Sequence, residues 1–116
     1  MSKVSVLMAA YNSERYIAKA IESLLMQTHK DLQIICIDDV STDNTYSIIK
    51  EYAAQDSRIK VLRMERNSGQ AKARNQGLAV AEGDYITVLD SDDWLSEDAI
   101  ERAEEVLDNN KETDTV

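Results

Sequence analysis

Short apolar runs alternate along this chain with stretches in which apolar residues recur at the three- to four-residue spacing of a helix. The runs are rich in β-branched residues and are bounded mostly by polar positions, which is typical of buried strands. They predict four strands, which cover Val4–Ala10, Leu32–Ile37, Ile59–Leu62 and Tyr85–Leu89.

The stretches between and after these strands predict four helices. A hydroxyl or carboxylate side chain just before a helix accepts a free backbone N–H, and a glycine just past the end favours termination. The expected caps are Ser13 for the first helix, with Glu14 in its first turn, Ser41, Thr42 or Asp43 for the second, Gly83 after the third (Gln70–Glu82), and Ser96 for the fourth.

Alternating helices and strands, with strands that are apolar on both faces, indicate an open, mainly parallel sheet with helices on both sides. At 116 residues the chain has room for one domain. We predict an α/β domain over residues 1–108 and a polar tail over residues 109–116. The helix residues expected to face its core are Tyr16, Ile17, Ala20, Ile21, Leu24, Leu25, Ile48, Ile49, Tyr52, Ala53, Ile100, Ala103, Val106 and Leu107.

The charge is unevenly distributed, which changes the expected partners. The formal net charge is −9, and residues 90–116, with 11 acids and 2 basic residues, carry all of it. An acidic chain is poorly suited to binding nucleic acid phosphates, so we expect no nucleic acid partner.

We expect a cytoplasmic location for three reasons. The chain has a single cysteine, Cys36, its first apolar run is short, and no run approaches the roughly 20 apolar residues of a membrane span.

Five carboxylates follow the second and fourth predicted strands, at Asp38, Asp39, Asp90, Asp92 and Asp93. Carboxyl ends of parallel strands share one edge of a sheet, where ligands of such folds bind. Two carboxylates about 4 Å apart repel by roughly 4 kcal/mol at an effective dielectric of 20, so a cluster either raises a pKa or recruits a cation. Mg²⁺ or Mn²⁺ suits such oxygen ligands. The alternative is that these acids only end strands, cap helices and keep the surface hydrated.

Glycine-rich phosphate-binding loops are absent from the sequence. Its three glycines, Gly69, Gly77 and Gly83, form neither a dinucleotide-binding fingerprint nor a P-loop. A diphosphate bound here would therefore need a bridging metal ion, which agrees with the aspartates.

Four stretches taken in order resemble the nucleotide-sugar-binding half of a family 2 glycosyltransferase with the GT-A fold. They are Val4 to Asn12, Ile37 to Asp43, Asn67 to Gly77 and Gly83 to Asp93, and the resemblance covers about residues 3–107. It implies a Rossmann-like sheet, a nucleotide-sugar donor with uracil as the most frequent base, and a Mg²⁺ or Mn²⁺ ion. In the full-length enzyme it implies a glycan or lipid-linked acceptor and a peripheral position at the membrane.

The resemblance also implies roles for individual residues. The backbone around Ala10 and the side chain of Asp39 would hold the base, with Asp38 supporting that pocket. Asp92 would ligate the metal that bridges the diphosphate, and Asp90 would approach both ribose and metal. Tyr11 would either stack on the base or pack over the sheet edge. The implied nucleotide-sugar-binding set is Ala10, Tyr11, Asp38, Asp39, Gly69, Arg74, Asp90 and Ser91.

The chain departs from the family pattern in three respects. Ala9 replaces a usual proline, and Val40 replaces a usual glycine, which creates strain if the loop requires a positive φ there. Inverting members carry their catalytic base and acceptor region beyond the aspartate motif, so the chain resembles a donor-binding fragment without that base. We expect the fragment itself to be inactive, and an exposed sheet edge would permit homo-oligomers.

Two other enzyme-like classes remain open from the residues alone. A receiver-like phosphoacceptor domain has a similar length and an acidic pair at a strand end, but places that pair after its first strand. A phosphatase-like interpretation of Asp90 and Asp92 needs an attacking aspartate on an early strand. A binding module whose acids only solubilise it is the third alternative.

Overall fold

The computed structural model describes residues 3–109, and all eight predicted elements are present there. Strands and helices alternate throughout, as the sequence pattern predicts. The elements are β1 (Val4–Ala10), α1 (Ile17–Leu25), β2 (Leu32–Asp38), α2 (Thr45–Gln55), β3 (Ile59–Arg63), α3 (Gln70–Val80), β4 (Tyr85–Val88) and α4 (Ala99–Asn109).

The four strands form one parallel sheet in the order β3-β2-β1-β4. β1 pairs with β2 along its whole length and with β4 along its first four residues. The chain therefore moves outward from β1 through β2 to β3 and then returns to the other side of β1. Strand order reverses between β1 and β4, and the carboxyl ends of these two strands mark the point where ligands of open α/β sheets bind.

β1 is buried on both faces, which explains why all of its residues except Ser5 are apolar. Val6 and Met8 point into one core, which α1, α2 and α4 cover. Leu7 and Ala9 point into a second core, where Ala73 of α3 packs against them. Helices therefore cover both faces of a parallel sheet, and the predicted α/β, Rossmann-like fold class is confirmed.

The start of α1 differs from the prediction. The helix begins at Ile17 without a side-chain cap, so Glu14 lies outside its first turn. Ser13 uses its backbone carbonyl to accept the N–H of Ile17, while its hydroxyl donates to the carbonyl of Tyr11. Tyr16, expected to face the core, is 51% exposed because it precedes the first full helical turn.

The second helix begins at Thr45, and of its three predicted caps only Asp43 contacts this end. Its carboxylate accepts hydrogen bonds from the amide and the hydroxyl of Thr45. Burial alone would raise the pKa of Asp43, but the hydrogen bonds from Thr45 and from the Glu14 amide outweigh it and lower that pKa. Ser41 instead bonds to Asp38, and Thr42 to Asn12.

The prediction that Gly83 caps α3 was wrong. The helix ends earlier, at Val80, and Ala81 follows in an extended conformation. Instead, Gly83 lies against β1 and donates its N–H to the hydroxyl of Ser5. A Cβ atom at Gly83 would lie 2.5 Å from the backbone nitrogen of Ser5. Close approach of two backbones is therefore the reason for glycine here.

The fourth helix begins at Ala99, three residues after the predicted cap Ser96, whose hydroxyl donates to Asp98. Ile100 faces the core as predicted, but Val106 is 66% exposed. Glu104 is buried instead, 2.8 Å from Nδ1 of the fully buried His29. Because Glu104 pairs with His29, the face of α4 that carries Glu104 is buried, and the face that carries Val106 is not. The prediction for the Leu107 side chain lies outside what the structure describes.

None of the helices in residues 3–109 combines the length and the apolar character needed to cross a membrane. Asn109 ends α4, and the rest of the predicted tail, residues 110–116, lies outside the described residues.

Cys36 is buried in β2, and that burial raises the pKa of its thiol to about 12.

Candidate functional site

A cleft of about 480 Å³ opens at the carboxyl ends of β1, β2 and β4, where strand order reverses. This volume is in the range of small-molecule sites. The cleft is lined by Tyr11, Asn12, Ser13, Tyr16, Asp39, Asn67, Gly69, Gln70, Asp90, Ser91 and Asp92.

A second cavity of about 390 Å³ lies beside β3 and α3. Glu65 is the one carboxylate among its described lining residues, next to Arg63 and Arg66. This cavity lacks the clustered acids needed to hold a divalent cation. The cleft at the reversal point is therefore the better candidate site.

Asp39 forms one end of the cleft, where its carboxylate accepts two backbone N–H groups. Its two oxygens lie 2.9 Å from the amides of Ser68 and Gly69 respectively. The loop reaches this position because Gly69 adopts a φ of +93°, which favours glycine. Asn67 completes the attachment by donating to the backbone carbonyl of Asp39. The carboxylate is thus nearly buried and fixed in orientation.

Ala10, whose backbone is predicted to hold the base, and Asp38, which is predicted to support that pocket, are not among the residues that line the cleft. The carbonyl of Ala10 accepts the N–H of Asp39 at 2.8 Å. Asp38 is fully buried, accepts hydrogen bonds from the amide and hydroxyl of Ser41, and pairs with Arg63 at 3.2 Å. Both residues support the loop that carries Asp39 rather than the cleft surface.

Val40, between Asp39 and Ser41, has a φ of +60°. This is the left-handed conformation in which a β-branched residue is a genuine outlier. The loop does require a positive φ at this position, so the strain expected from replacing glycine is present.

The exposed carboxylates of Asp90 and Asp92 line the opposite end of the cleft, and Asp93 lies beside them. Asp90, Asp92 and Asp93 each offer an oxygen within 4.8 Å of the other two. Nη2 of Arg74 pairs with Asp90 at 3.2 Å and also contacts Gln70. Three oxygen donors in this arrangement fit a hard divalent cation. Arg74 stands behind Asp90 and does not line the cleft itself.

Ser91 links the two loops that flank the reversal point. Its hydroxyl oxygen lies 2.7 Å from that of Ser13, so the loop after β4 is bonded to the loop after β1. Two residues that line the cleft, from loops far apart in the chain, are thus joined by a side-chain hydrogen bond.

Five lining residues were not in the predicted donor-binding set: Asn12, Ser13, Tyr16, Asn67 and Gln70. Three of these, Asn12, Asn67 and Gln70, lie within the stretches that carry the family resemblance, in the loops after β1 and β3 or at the start of α3. Ser13 and Tyr16 were assigned to a helix, and no local signal distinguishes that role from lining a cleft. Asp93 joins the acid cluster, although only Asp90 and Asp92 were predicted as metal ligands.

Comparison with known proteins gives a consistent assignment. The model of the family described as "Glycosyl transferase family 2" matches residues 5–116. The glycosyltransferase GlyG of Streptococcus pneumoniae is 43% identical over 98 residues, which are 84% of this chain and 33% of GlyG. The chain thus spans about a third of the length of this curated relative.

Solved structures agree with this assignment. S. aureus TarS in complex with UDP-GlcNAc matches 94% of this chain and 32% of that chain, with a TM-score of 0.87 and 35% identity. A mannosyltransferase from Pyrobaculum calidifontis, solved with GDP-Man and Mn²⁺, is 24% identical with a TM-score of 0.85 over 91% of this chain and 32% of that chain, and shows the shared fold alone. The family match covers nearly the whole chain and assigns it to neither the receiver-like nor the phosphatase-like alternative. This chain belongs to glycosyltransferase family 2.

Proposed function

We propose that this chain is the donor-binding part of a glycosyltransferase that takes its sugar from a UDP-sugar, depends on a divalent metal ion and inverts the anomeric centre. One observation carries the proposal: a single cleft has a fixed, buried carboxylate at one end and the exposed carboxylates of Asp90 and Asp92 at the other, with an oxygen of Asp93 within 4.8 Å of both. UDP-GlcNAc is the ligand of the similar TarS structure, which supports a uridine nucleotide.

The Asp39 end suits the base. Each of its carboxylate oxygens already accepts one backbone N–H, and each keeps a further lone pair for another donor. The N3–H of uracil is such a donor. Tyr11 lines the cleft and is 48% exposed, so its ring is available to stack on a base. The other open interpretation of Tyr11, packing over the sheet edge, leaves it with no role in nucleotide affinity.

The opposite end suits a metal-bridged diphosphate. Asp92 and Asp90 would hold Mg²⁺ or Mn²⁺, with Asp93 within reach as a third oxygen donor. When bound, the ion neutralises charge on the departing nucleoside diphosphate. Arg74 keeps Asp90 in place through their ion pair. Residues 3–109 contain no side chain that we assign as the catalytic base.

The reaction itself needs residues beyond the donor site. A hydroxyl of a glycan or lipid-linked acceptor would attack the anomeric carbon from the face opposite the diphosphate. The new glycosidic C–O bond forms as the bond from that carbon to the diphosphate oxygen breaks, and the hydroxyl proton passes to a base. We propose that the fragment binds the donor but does not transfer the sugar.

Thermal unfolding with and without Mn²⁺ tests the proposal. We expect UDP with Mn²⁺ to stabilise the protein, by about 2.7 kcal/mol at a ligand concentration about 100 times the Kd, and UDP alone to have a much smaller effect. Asp92→Ala is expected to abolish most of the metal-dependent part, whereas Asp84→Ala, at the opposite end of β4, is the matched control. Equal stabilisation of Asp92→Ala and the parent would contradict the site assignment. Stabilisation by GDP or ADP but not UDP would contradict the proposal that the nucleotide base is uracil.

A further inference from the structure

The segment between the acid cluster and α4 contacts α1 and the loop that follows it at several residues. The amide of Leu95 donates to the hydroxyl of Ser23 at 3.2 Å. The carbonyl of Glu97 accepts the amide of Thr28 at 2.7 Å. Nζ of Lys19 lies 3.6 Å from the ring centroid of Trp94. This segment, residues 94–98, therefore depends on partners that are distant in sequence.

Gln27 is the central partner. Its side chain is fully buried, and its amide nitrogen donates to the carbonyls of Ser23 at 3.1 Å and Ser96 at 2.6 Å. Its amide oxygen accepts the N–H of Ile100 at 3.0 Å. One side chain thus joins α1, the segment after the acid cluster and the first turn of α4. The Ser96 carbonyl also accepts the N–H of Ala99. Removing the Gln27 side chain therefore takes a hydrogen bond from the Ser23 carbonyl and from the Ile100 amide and breaks the link to Ser96, at the cost that attends an unpaired buried polar group.

The Ser91–Ser13 hydrogen bond fixes the start of the acid cluster, and Asp92 and Asp93, which follow it, need a second anchor. On its amino-terminal side the chain is fixed to the sheet, where the amide of Leu89 donates to the carbonyl of Leu7. On its carboxyl-terminal side the first backbone attachments to another element are those made by Leu95 and Ser96. Carboxylates within 4.8 Å of one another repel, and an unanchored loop relieves that repulsion by spreading.

We propose that Gln27 is a positioning residue for the divalent cation site. It acts through Ser96 and Ile100 and holds the segment after Asp93 so that the three carboxylate oxygens stay close together. The proposal rests on the proposed function for the identity of the ligand. It assigns to a buried residue outside the cleft a part in metal affinity, and Gln27 touches neither the cation nor the nucleotide.

A matched pair of variants tests this role, Gln27→Met and Gln33→Met. Gln33 also ties distant backbone together, since its amide contacts the carbonyl of Val80 and the amide of Glu82, but it does so at the amino-terminal edge of the sheet. The dissociation constant for UDP is measured by calorimetry at one fixed Mn²⁺ concentration, chosen below the level that saturates the parent protein, so that weaker metal binding shows as weaker UDP binding. We expect Gln27→Met to raise it about tenfold, equivalent to about 1.4 kcal/mol, and Gln33→Met to leave it within about twofold.

Hydrogen exchange gives a second readout that needs no ligand. The amide of Asp93 donates to the carbonyl of Asp90 at 3.0 Å, within the acid cluster. Its exchange is expected to be about tenfold faster in Gln27→Met and unchanged in Gln33→Met. Unchanged exchange in Gln27→Met, or equal loss of UDP affinity in both variants, would overturn the proposal. A parent protein that binds no UDP would instead contradict the proposed function, and the exchange result still decides the role of Gln27.

Ser23→Ala serves if Gln27→Met does not fold. Alanine is well accepted in α1, and this change removes only the hydroxyl that holds Leu95. We expect about threefold weaker UDP binding with Mn²⁺, against no change for Ser47→Ala on the exposed face of α2. Binding equal to that of the parent would again overturn the anchoring role.

Discussion

Nη2 of Arg74 lies 3.2 Å from Oδ1 of Asp90, so a guanidinium occupies one side of a carboxylate that we assign to the cation site. The pair is partly exposed, and Nε of Arg74, which is buried, has no hydrogen-bond partner among the described residues. Asp90 is thus shared between a fixed positive charge and any cation that enters the cleft. The two compete for the same oxygen when no nucleotide is bound.

This competition predicts that Arg74→Ala binds Mn²⁺ more tightly in the absence of nucleotide. Removing the guanidinium frees Oδ1 of Asp90 and eliminates a positive charge that repels Mn²⁺. We therefore expect the Kd for Mn²⁺ to fall about threefold to tenfold. Electron paramagnetic resonance of free Mn²⁺ measures it. Lys72→Ala, the same charge change on the exposed side of α3, is expected to alter it less than about twofold. An equal effect of both variants would show that only net charge matters.

The order of the elements could be predicted from the sequence because each strand contributes apolar residues to both faces of the sheet. β1 begins and ends where its apolar run does, since neighbours cover it on every side. The helix ends were predicted less well. Tyr16 and Val106 continue the apolar spacing of α1 and α4, yet both are exposed. A buried His29–Glu104 pair, formed by residues far apart in the chain, determines which face of α4 is buried.

In the candidate site, too, some features could be predicted from the sequence and others depend on contacts between distant residues. Asp39 and the Asp90–Asp93 region could be expected at one edge, because carboxyl ends of parallel strands lie together. That the Asp39 carboxylate is held by the amides of Ser68 and Gly69 could not be expected, since these contacts span about 30 positions in the chain. Only the folded loop brings them together. The same holds for the Ser13–Ser91 bond.

Gly69 is predicted to matter for nucleotide binding through its backbone. A Cβ at this position meets no atom within 4 Å, so Gly69→Ala acts only by straining a φ of +93°. We expect a loss of about 1–2 kcal/mol in unfolding free energy and about tenfold weaker UDP binding with Mn²⁺, because the amides that hold Asp39 move. Urea unfolding and calorimetry measure the two quantities.

Gly77→Ala is the control for that variant. Its Cβ would lie 2.7 Å from Cδ1 of Ile37, where α3 packs on the sheet, and not in the loop whose amides hold the Asp39 carboxylate. Any change in stability is expected to leave the UDP dissociation constant within about twofold. Equal weakening in both glycine variants would mean that stability alone, and not the geometry at Asp39, controls binding.

Val40→Gly is predicted to stabilise the protein. The left-handed conformation at Val40 costs an L-residue roughly 1–2 kcal/mol, and glycine avoids that cost but loses about 0.5–1 kcal/mol through the greater freedom of the unfolded chain. We expect a net gain of about 0.5–1 kcal/mol in urea unfolding. Val40→Ala, which keeps the Cβ, is expected to gain less than Val40→Gly. A glycine variant less stable than the parent would show that packing by the valine side chain outweighs the strain.

Asp56 is predicted to contribute stability that depends on pH. Hydrogen bonds from the side chain and the amide of Arg58 hold the pKa of Asp56 below its usual value. A lowered folded-state pKa means that the contribution is fully present above the unfolded pKa of about 3.9 and is lost as the pH falls through the folded value. Asp56→Asn is therefore expected to cost about 0.5–1 kcal/mol near pH 6, and the difference from the parent is expected to shrink below about pH 4. Urea unfolding from pH 3 to pH 7 measures this, with Glu51→Gln on the exposed side of α2 as the charge-matched control. A difference between Asp56→Asn and the parent that does not vary with pH would mean that the carboxylate charge is not what stabilises this turn.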